Sequence, residues 1–122
     1  MRLLVIGSAL RDVCSDQAAL GLHFLEPART APRYRLYSID DRYAVLSEDE
    51  EAGAAIAGEL VEVADERLEE LLASEPAGVV QAPVELEDGR VASAAFAQPG
   101  ALAGAREITA YGGFAAYLRA RG

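Results

Sequence analysis

Asp88-Gly89 stands between two apolar runs, residues 79–86 and 91–96, and this arrangement constrains the fold more than any other stretch. A type I′ turn needs positive φ at both central residues, which Asp-Gly supplies with little strain, and it sends the chain back antiparallel to itself. Other extended segments surround that expected hairpin. Residues 2–6 form a short apolar run fit for a buried strand, ended by Gly7-Ser8. Residues 22–26 are extended, Pro27 and Pro32 punctuate the next turn, and residues 34–39 alternate as a half-buried strand does. Asp40-Asp41 turns the chain into a strand at 43–46, and a further strand at 55–63 is expected to be interrupted by Gly58.

Helical signals are fewer. Residues 15–20 suit a short helix, with Ser15 or Asp16 as N-cap and Gly21 to stop it. Leu68, Leu71 and Leu72 repeat at i, i+3 and i+4, Asp65 can cap that helix, and Pro76 forbids its continuation. Gly112-Gly113 precedes a last short helix carrying Phe114, Tyr117 and Leu118, while residues 47–51 and 98–106 read as loops. Several strands with only short helices make an α+β fold around a mixed, mostly antiparallel sheet or open barrel. A chain of 122 residues holds one core of this kind, so residues 1–122 are expected to form a single domain.

Charge and composition narrow the chemistry. The net charge is −9, from 20 acidic and 11 basic residues, which disfavours phosphate backbones and so argues against a nucleic-acid partner. One basic cluster, Arg29, Arg33, Arg35 and Arg42, could attract a small carboxylate, although a solvated strand face explains it as well. No apolar run approaches the about 20 residues of a membrane span, and residues 1–6 meet Gly7 without a cleavage site, so the expectation is a cytoplasmic protein with no membrane partner. Cys14 is the only cysteine and His23 the only histidine, which cannot furnish a structural zinc site. His23 lies among apolar neighbours and reads as a satisfied structural residue. No glycine pattern matches a P-loop or a dinucleotide fingerprint, so neither metal nor organic cofactor is expected.

Three segments then carry a resemblance: Arg29-Thr30-Ala31-Pro32-Arg33-Tyr34-Arg35-Leu36-Tyr37, Gly53-Ala54-Ala55-Ile56-Ala57-Gly58-Glu59-Leu60, and Ile108-Thr109-Ala110-Tyr111-Gly112-Gly113-Phe114-Ala115-Ala116-Tyr117-Leu118. In this order, with the hairpin between the second and third, the chain resembles the carboxy-terminal domain of allophanate hydrolase. The resemblance covers that domain alone, so the chain is expected to be a free-standing relative without the amidase domain of that enzyme. The domain is similar in fold to the γ-glutamylcyclotransferases, and the resemblance implies a glycine-serine loop after the first strand that holds substrate through backbone N–H groups. That loop corresponds to Gly7, Ser8, Ala9 and Leu10, and the proton-transferring glutamate of the cyclotransferases falls on Glu75. Two loop positions depart from the families. Ile6 stands where cyclotransferases carry an aromatic residue, and Ala9 where allophanate hydrolases carry a histidine. Conversely, Glu75 stands where allophanate hydrolases have an apolar residue.

The residue chemistry fits such a site. Successive N–H groups after Gly7 can form an anion-binding nest, and burial at a helix end would raise the proton affinity of Glu75. An exposed helix-end glutamate would have the same sequence. Tyr37 and Tyr111 can hydrogen-bond a carboxylate or simply cap the core. Arg33 or Arg35 can grip a carboxylate bidentately, with one of the two expected to face the pocket. The resemblance implies action on a small carboxylate with an amide or carbamate nitrogen, by N-carboxycarbamate breakdown or γ-glutamyl cyclotransfer. The alternative is a non-catalytic binding or assembly module for a separate amidase subunit, and a homodimer is the other protein partner considered.

Overall fold

The computed structural model describes residues 1–14, 16–73, 77–98 and 100–121. Its strands are β1 (Arg2–Val5), β2 (Leu22–Arg29), β3 (Tyr34–Ile39), β4 (Tyr43–Glu48), β5 (Ala57–Val63), β6 (Val79–Glu85), β7 (Val91–Ala97) and β8 (Arg106–Glu107). Two α-helices, α1 (Asp65–Ala73) and α2 (Phe114–Arg121), and two 3₁₀ turns complete the described elements. The strands form one mixed sheet in the order β2-β5-β1-β7-β4-β3-β8, with β6 on β7. Among the described residues only the β1–β7 and β4–β7 pairings are parallel, so the architecture is the α+β, mostly antiparallel one that the strand pattern requires.

β7 is the pivot. β6 pairs with it along its whole length, from Val79↔Ala97 to Glu85↔Val91. On the other edge β1 meets it at Leu3↔Ser93 and β4 at Leu46↔Phe96, so the sheet forks there. The outer strands curl round: Ala31 donates its N–H to the Glu85 carbonyl at 2.9 Å and Glu87 donates to that of Arg29 at 3.0 Å, tying the end of β2 to the end of β6. The result is an open barrel with β4, β3 and β8 as an extension. The core runs from Leu4 and Leu60 through Leu36 and Leu46 to Phe114 and Tyr117 of α2, all at most 2% exposed.

Several expectations are corrected by backbone geometry. Gly58 does not interrupt β5. It lies inside the strand because a Cβ there would come within 2.6 Å of the Val5 carbonyl oxygen, a close approach that only glycine permits. The turn at Asp88-Gly89 is not type I′, because only Gly89 has positive φ (91°). Gly89 donates to the Leu86 carbonyl at 2.9 Å and Leu86 to that of Arg90 at 2.8 Å, the pattern of a type I turn followed by a bulge at a left-handed glycine. Positive φ at both central positions occurs instead at Asp40 and Asp41 (56° and 57°), where Arg42 donates to Ile39 at 3.1 Å. The helix expected at 15–20 is a single 3₁₀ turn, Ala18–Leu20, with the Asp16 carboxylate accepting from the Ala19 N–H at 3.2 Å and Gly21 in the left-handed region. Ser15, the other cap candidate, lies outside the described residues. His23 is exposed on the edge strand β2, so it is not a structural core histidine.

Candidate functional site

The fork in the sheet creates the site. Where two strands part from a shared neighbour, the loops at their ends border a crevice. Here β1 ends at Val5 and the chain turns through Gly7, Ser8, Ala9 and Leu10 beside the start of β4. A Cβ on Gly7 would lie 3.0 Å from the backbone nitrogen of Ala44, so a side chain there would push the loop away from β4. Leu10 donates its N–H to the Gly7 carbonyl at 3.0 Å and closes the turn. The N–H groups of Ser8 and Ala9 have no backbone acceptor among the described residues.

A cleft of about 210 Å³ opens at this loop. One wall is Gly7, Ser8 and Ala9, and another is apolar, formed by Leu20 and Leu22 with Leu68, Leu71 and Leu72 of α1. Its remaining polar side chains are Tyr43 and Gln81, and none of the described residues that line it is charged. Leu68 and Leu71 rest on the core, so α1 covers the cleft with the face that its leucine spacing specifies. Glu75 follows α1 in sequence and lies outside the described residues.

The loop is anchored from the sheet by a residue that the sequence analysis missed. Glu59 of β5, with a side chain only 13% exposed, accepts from the Arg11 backbone N–H at 3.0 Å and from Arg11 Nε at 2.9 Å. Gln17 Nε2 donates to the same carboxylate at 3.1 Å and to the Ala9 carbonyl at 2.7 Å. One carboxylate thus pins both ends of the segment that presents the loop. In a strand, a lone glutamate carries no signal that would have marked it.

Other expected site residues lie elsewhere. Leu10 is 6% exposed and joins the core, with one side on a second cavity of about 310 Å³. Tyr111, 42% exposed, lines that second cavity with Arg29, Glu59 and the first turn of α2, and stacks edge-on against Tyr117 at 5.1 Å. The three segments that carry the resemblance therefore meet at the second cavity, whereas the glycine-serine loop faces the first. Tyr37 is half-buried in β3 opposite Val45 and Glu107 and lines neither.

Arg33 pairs with Glu50 and, at 3.1 Å, with Glu85, while Arg35 pairs with Asp49 at 2.7 Å and Glu107 at 2.9 Å. Residues two apart in extended chain share a face, so the expectation that only one of these arginines faces the pocket does not hold. Both guanidiniums meet the acidic loop, and neither lines the cleft. The Asp49 carboxyl is held below the usual carboxylate range, first by the Ala52 N–H and then by Arg35. No cluster of three or more His, Cys, Asp or Glu side chains suited to a metal occurs among the described residues. None of the described helices is long and apolar enough to cross a membrane.

Comparison with known proteins adds to this geometry. The family profile "Allophanate hydrolase C-terminal domain" matches residues 1–119. The chain is similar to c4763, a uropathogenic E. coli-specific protein, at 30% identity and TM-score 0.88 over 97% of this chain and 94% of that one. It also superimposes on Kluyveromyces lactis allophanate hydrolase at 22% identity and TM-score 0.88, covering 99% of this chain but 21% of that enzyme. A gamma-glutamyl cyclotransferase shares the fold at 14% identity and TM-score 0.55, over 80% of this chain and 66% of that one. Comparison with curated proteins gives no significant match.

Proposed function

From its membership of the allophanate hydrolase C-terminal domain family, with a γ-glutamylcyclotransferase-like fold, we propose that this chain acts on a small carboxylate bearing an amide or carbamate nitrogen. The observation that carries the reading is the loop at Gly7, whose Ser8 and Ala9 N–H groups lack backbone acceptors among the described residues and border a cleft with an apolar floor. Fixed neutral donors can hold a carboxylate, or the oxyanion that develops when a carbonyl is attacked, without reorganising at the moment of reaction.

Two reactions suit this arrangement. In cyclotransfer, the α-amine of a γ-glutamyl compound attacks its own side-chain amide carbon, a new C–N bond forms, and the amine leaves with a proton. In N-carboxycarbamate breakdown, carbon dioxide and ammonia are released and the nitrogen must gain protons as its bonds to carbon break. Each needs one group that moves a proton near the loop. Glu75 is the residue proposed for that step, two positions beyond the end of a helix whose leucines line the cleft.

The test is thermal stability against γ-glutamyl amines, 5-oxoproline, malonate, allophanate and biuret. A ligand at a hundred times its Kd stabilises the native state by about 2.7 kcal/mol. The expected result is a rise in Tm with one chemical class, abolished by Gly7→Val. With a binder identified, Glu75→Gln should remove turnover and leave its binding intact. A second reading is a non-catalytic module that binds a small carboxylate or docks onto an amidase subunit. The position of Ala9 favours it, since that loop residue has no ionisable group. The domain also corresponds to only 21% of the Kluyveromyces lactis enzyme, where it accompanies other parts of one chain. A shift without turnover would select the binding module, and absence of any ligand-induced shift would select docking onto an amidase subunit.

A further inference from the structure

The groups that line the cleft at Gly7 are neutral, yet a cation stands against one of its walls. Tyr43 lines the cleft at the start of β4, next to Ala44, whose backbone nitrogen would lie 3.0 Å from a Cβ on Gly7. That close approach keeps Tyr43 beside the loop. The Arg42 guanidinium carbon lies 5.6 Å from the centroid of the Tyr43 ring, within the range of a cation–π contact. The Arg42 backbone is held by the β3–β4 turn, where its N–H donates to the Ile39 carbonyl at 3.1 Å after two residues of positive φ. No carboxylate among the described residues pairs with Arg42, which is exposed. Its neighbour Asp41 is already occupied: Oδ1 accepts from the Tyr117 and Ser38 hydroxyls, and Oδ2 pairs with Arg121.

A guanidinium resting on a ring at the surface is weakly held and keeps its N–H donors, so it can turn and grip a carboxylate with two parallel hydrogen bonds. The Ser8 and Ala9 N–H groups offer neutral donors to one anionic group. A second negative charge beside the leucines of α1 needs a counter-ion, and no described side chain lining the cleft supplies one. We infer that Arg42, presented on the ring of Tyr43, is the specificity-determining residue that receives the carboxylate remote from the loop, so that the cleft prefers dicarboxylates to acids ending in a neutral amide. Of the two reactions considered above, this pairing suits N-carboxycarbamate, which carries a carboxylate at each end. The inference rests on the cleft reading and deepens it.

Malonate and malonamate test the role of Arg42 separately from the cleft itself. They have nearly the same shape and differ in ending with a second carboxylate or a carboxamide. Titrations followed by the backbone amide resonances of Ser8 and Ala9 give the affinities. Malonate is expected to bind about tenfold more tightly, as one charge-assisted contact gives. Arg42→Gln should erase that advantage, and Tyr43→Leu, which removes the ring beneath the guanidinium, should reduce it. Arg2→Gln removes the same charge from an exposed residue that does not line the cleft, and should preserve the advantage. An advantage that survives Arg42→Gln, or falls equally in Arg2→Gln, would overturn the role of Arg42 while keeping the cleft. Malonamate binding as tightly as malonate to the unaltered protein would do the same. No response of Ser8 or Ala9 to either acid would overturn both.

Discussion

The carboxylate of Glu59 accepts three hydrogen bonds from a single segment, two from Arg11 and one from Gln17. Its loss would strand the Arg11 N–H and free the loop that borders the cleft. Glu59→Ala is therefore expected to lower unfolding free energy by about 2 kcal/mol, the scale of hydrogen bonds to a charged acceptor, as read from urea denaturation. Glu59→Gln keeps one acceptor oxygen and should lose less; an unchanged stability in Glu59→Ala would show that the loop does not depend on this carboxylate. The loop and its anchor differ in how visible they were. Gly7-Ser8 after an apolar run marks a turn by itself, because both the run and its breaker are local. Glu59 sits in a strand whose partners come from distant parts of the chain, so nothing near it distinguishes a strut from a solvated side chain. Arg33 and Arg35 show the converse: their charge was legible, but the carboxylates that occupy them lie on other strands and loops.

At the scale of elements, α2 is locked to the β3–β4 turn through one carboxylate. Tyr117, 1% exposed, donates its hydroxyl to Asp41 Oδ1 at 2.7 Å, Ser38 donates to the same oxygen at 3.0 Å, and Arg121 pairs with Oδ2 at 3.2 Å. The Tyr117 hydroxyl first, then Ser38 and Arg121, hold the Asp41 carboxyl below its ordinary range, and the same bond raises the Tyr117 phenol above its own. The two signs bracket a window. A lowered carboxyl stabilises the fold in full above its unfolded pKa of about 3.9 and loses that contribution as pH falls through the folded value. A raised phenol contributes in full below its unfolded pKa of about 10 and loses it as pH rises through the folded value. Stability against pH should therefore fall off at both ends, and Tyr117→Phe should flatten the alkaline limb. An unchanged alkaline limb in that variant would show that another group governs it. Helix α2 and strand β3 were readable from spacing and alternation. The turn geometry was not, since Asp-Gly and Asp-Asp both tolerate left-handed backbone and the flanking register decides which turn forms.

Over the whole molecule, seven of the eight described strands and the antiparallel bias followed from short apolar runs between turn residues, whereas β8 begins in a stretch that reads as loop. The fork at β7 did not, because parallel contacts at Leu3↔Ser93 and Leu46↔Phe96 join segments that no local pattern relates. That fork also has a consequence in time. The β6–β7 hairpin can close as soon as its two strands exist, whereas β1 and β4 must be brought to β7 from far along the chain at a greater entropic cost. During refolding, amides of the hairpin are expected to be shielded from pulse-labelled hydrogen exchange before those of β1, and the reverse order would place the nucleus at the fork. The cleft exists only once both distant strands have arrived. A refolding chain therefore passes through a stage with its hairpin built and nowhere to hold a ligand, and a small acid added to it would slow unfolding without hastening the folding step.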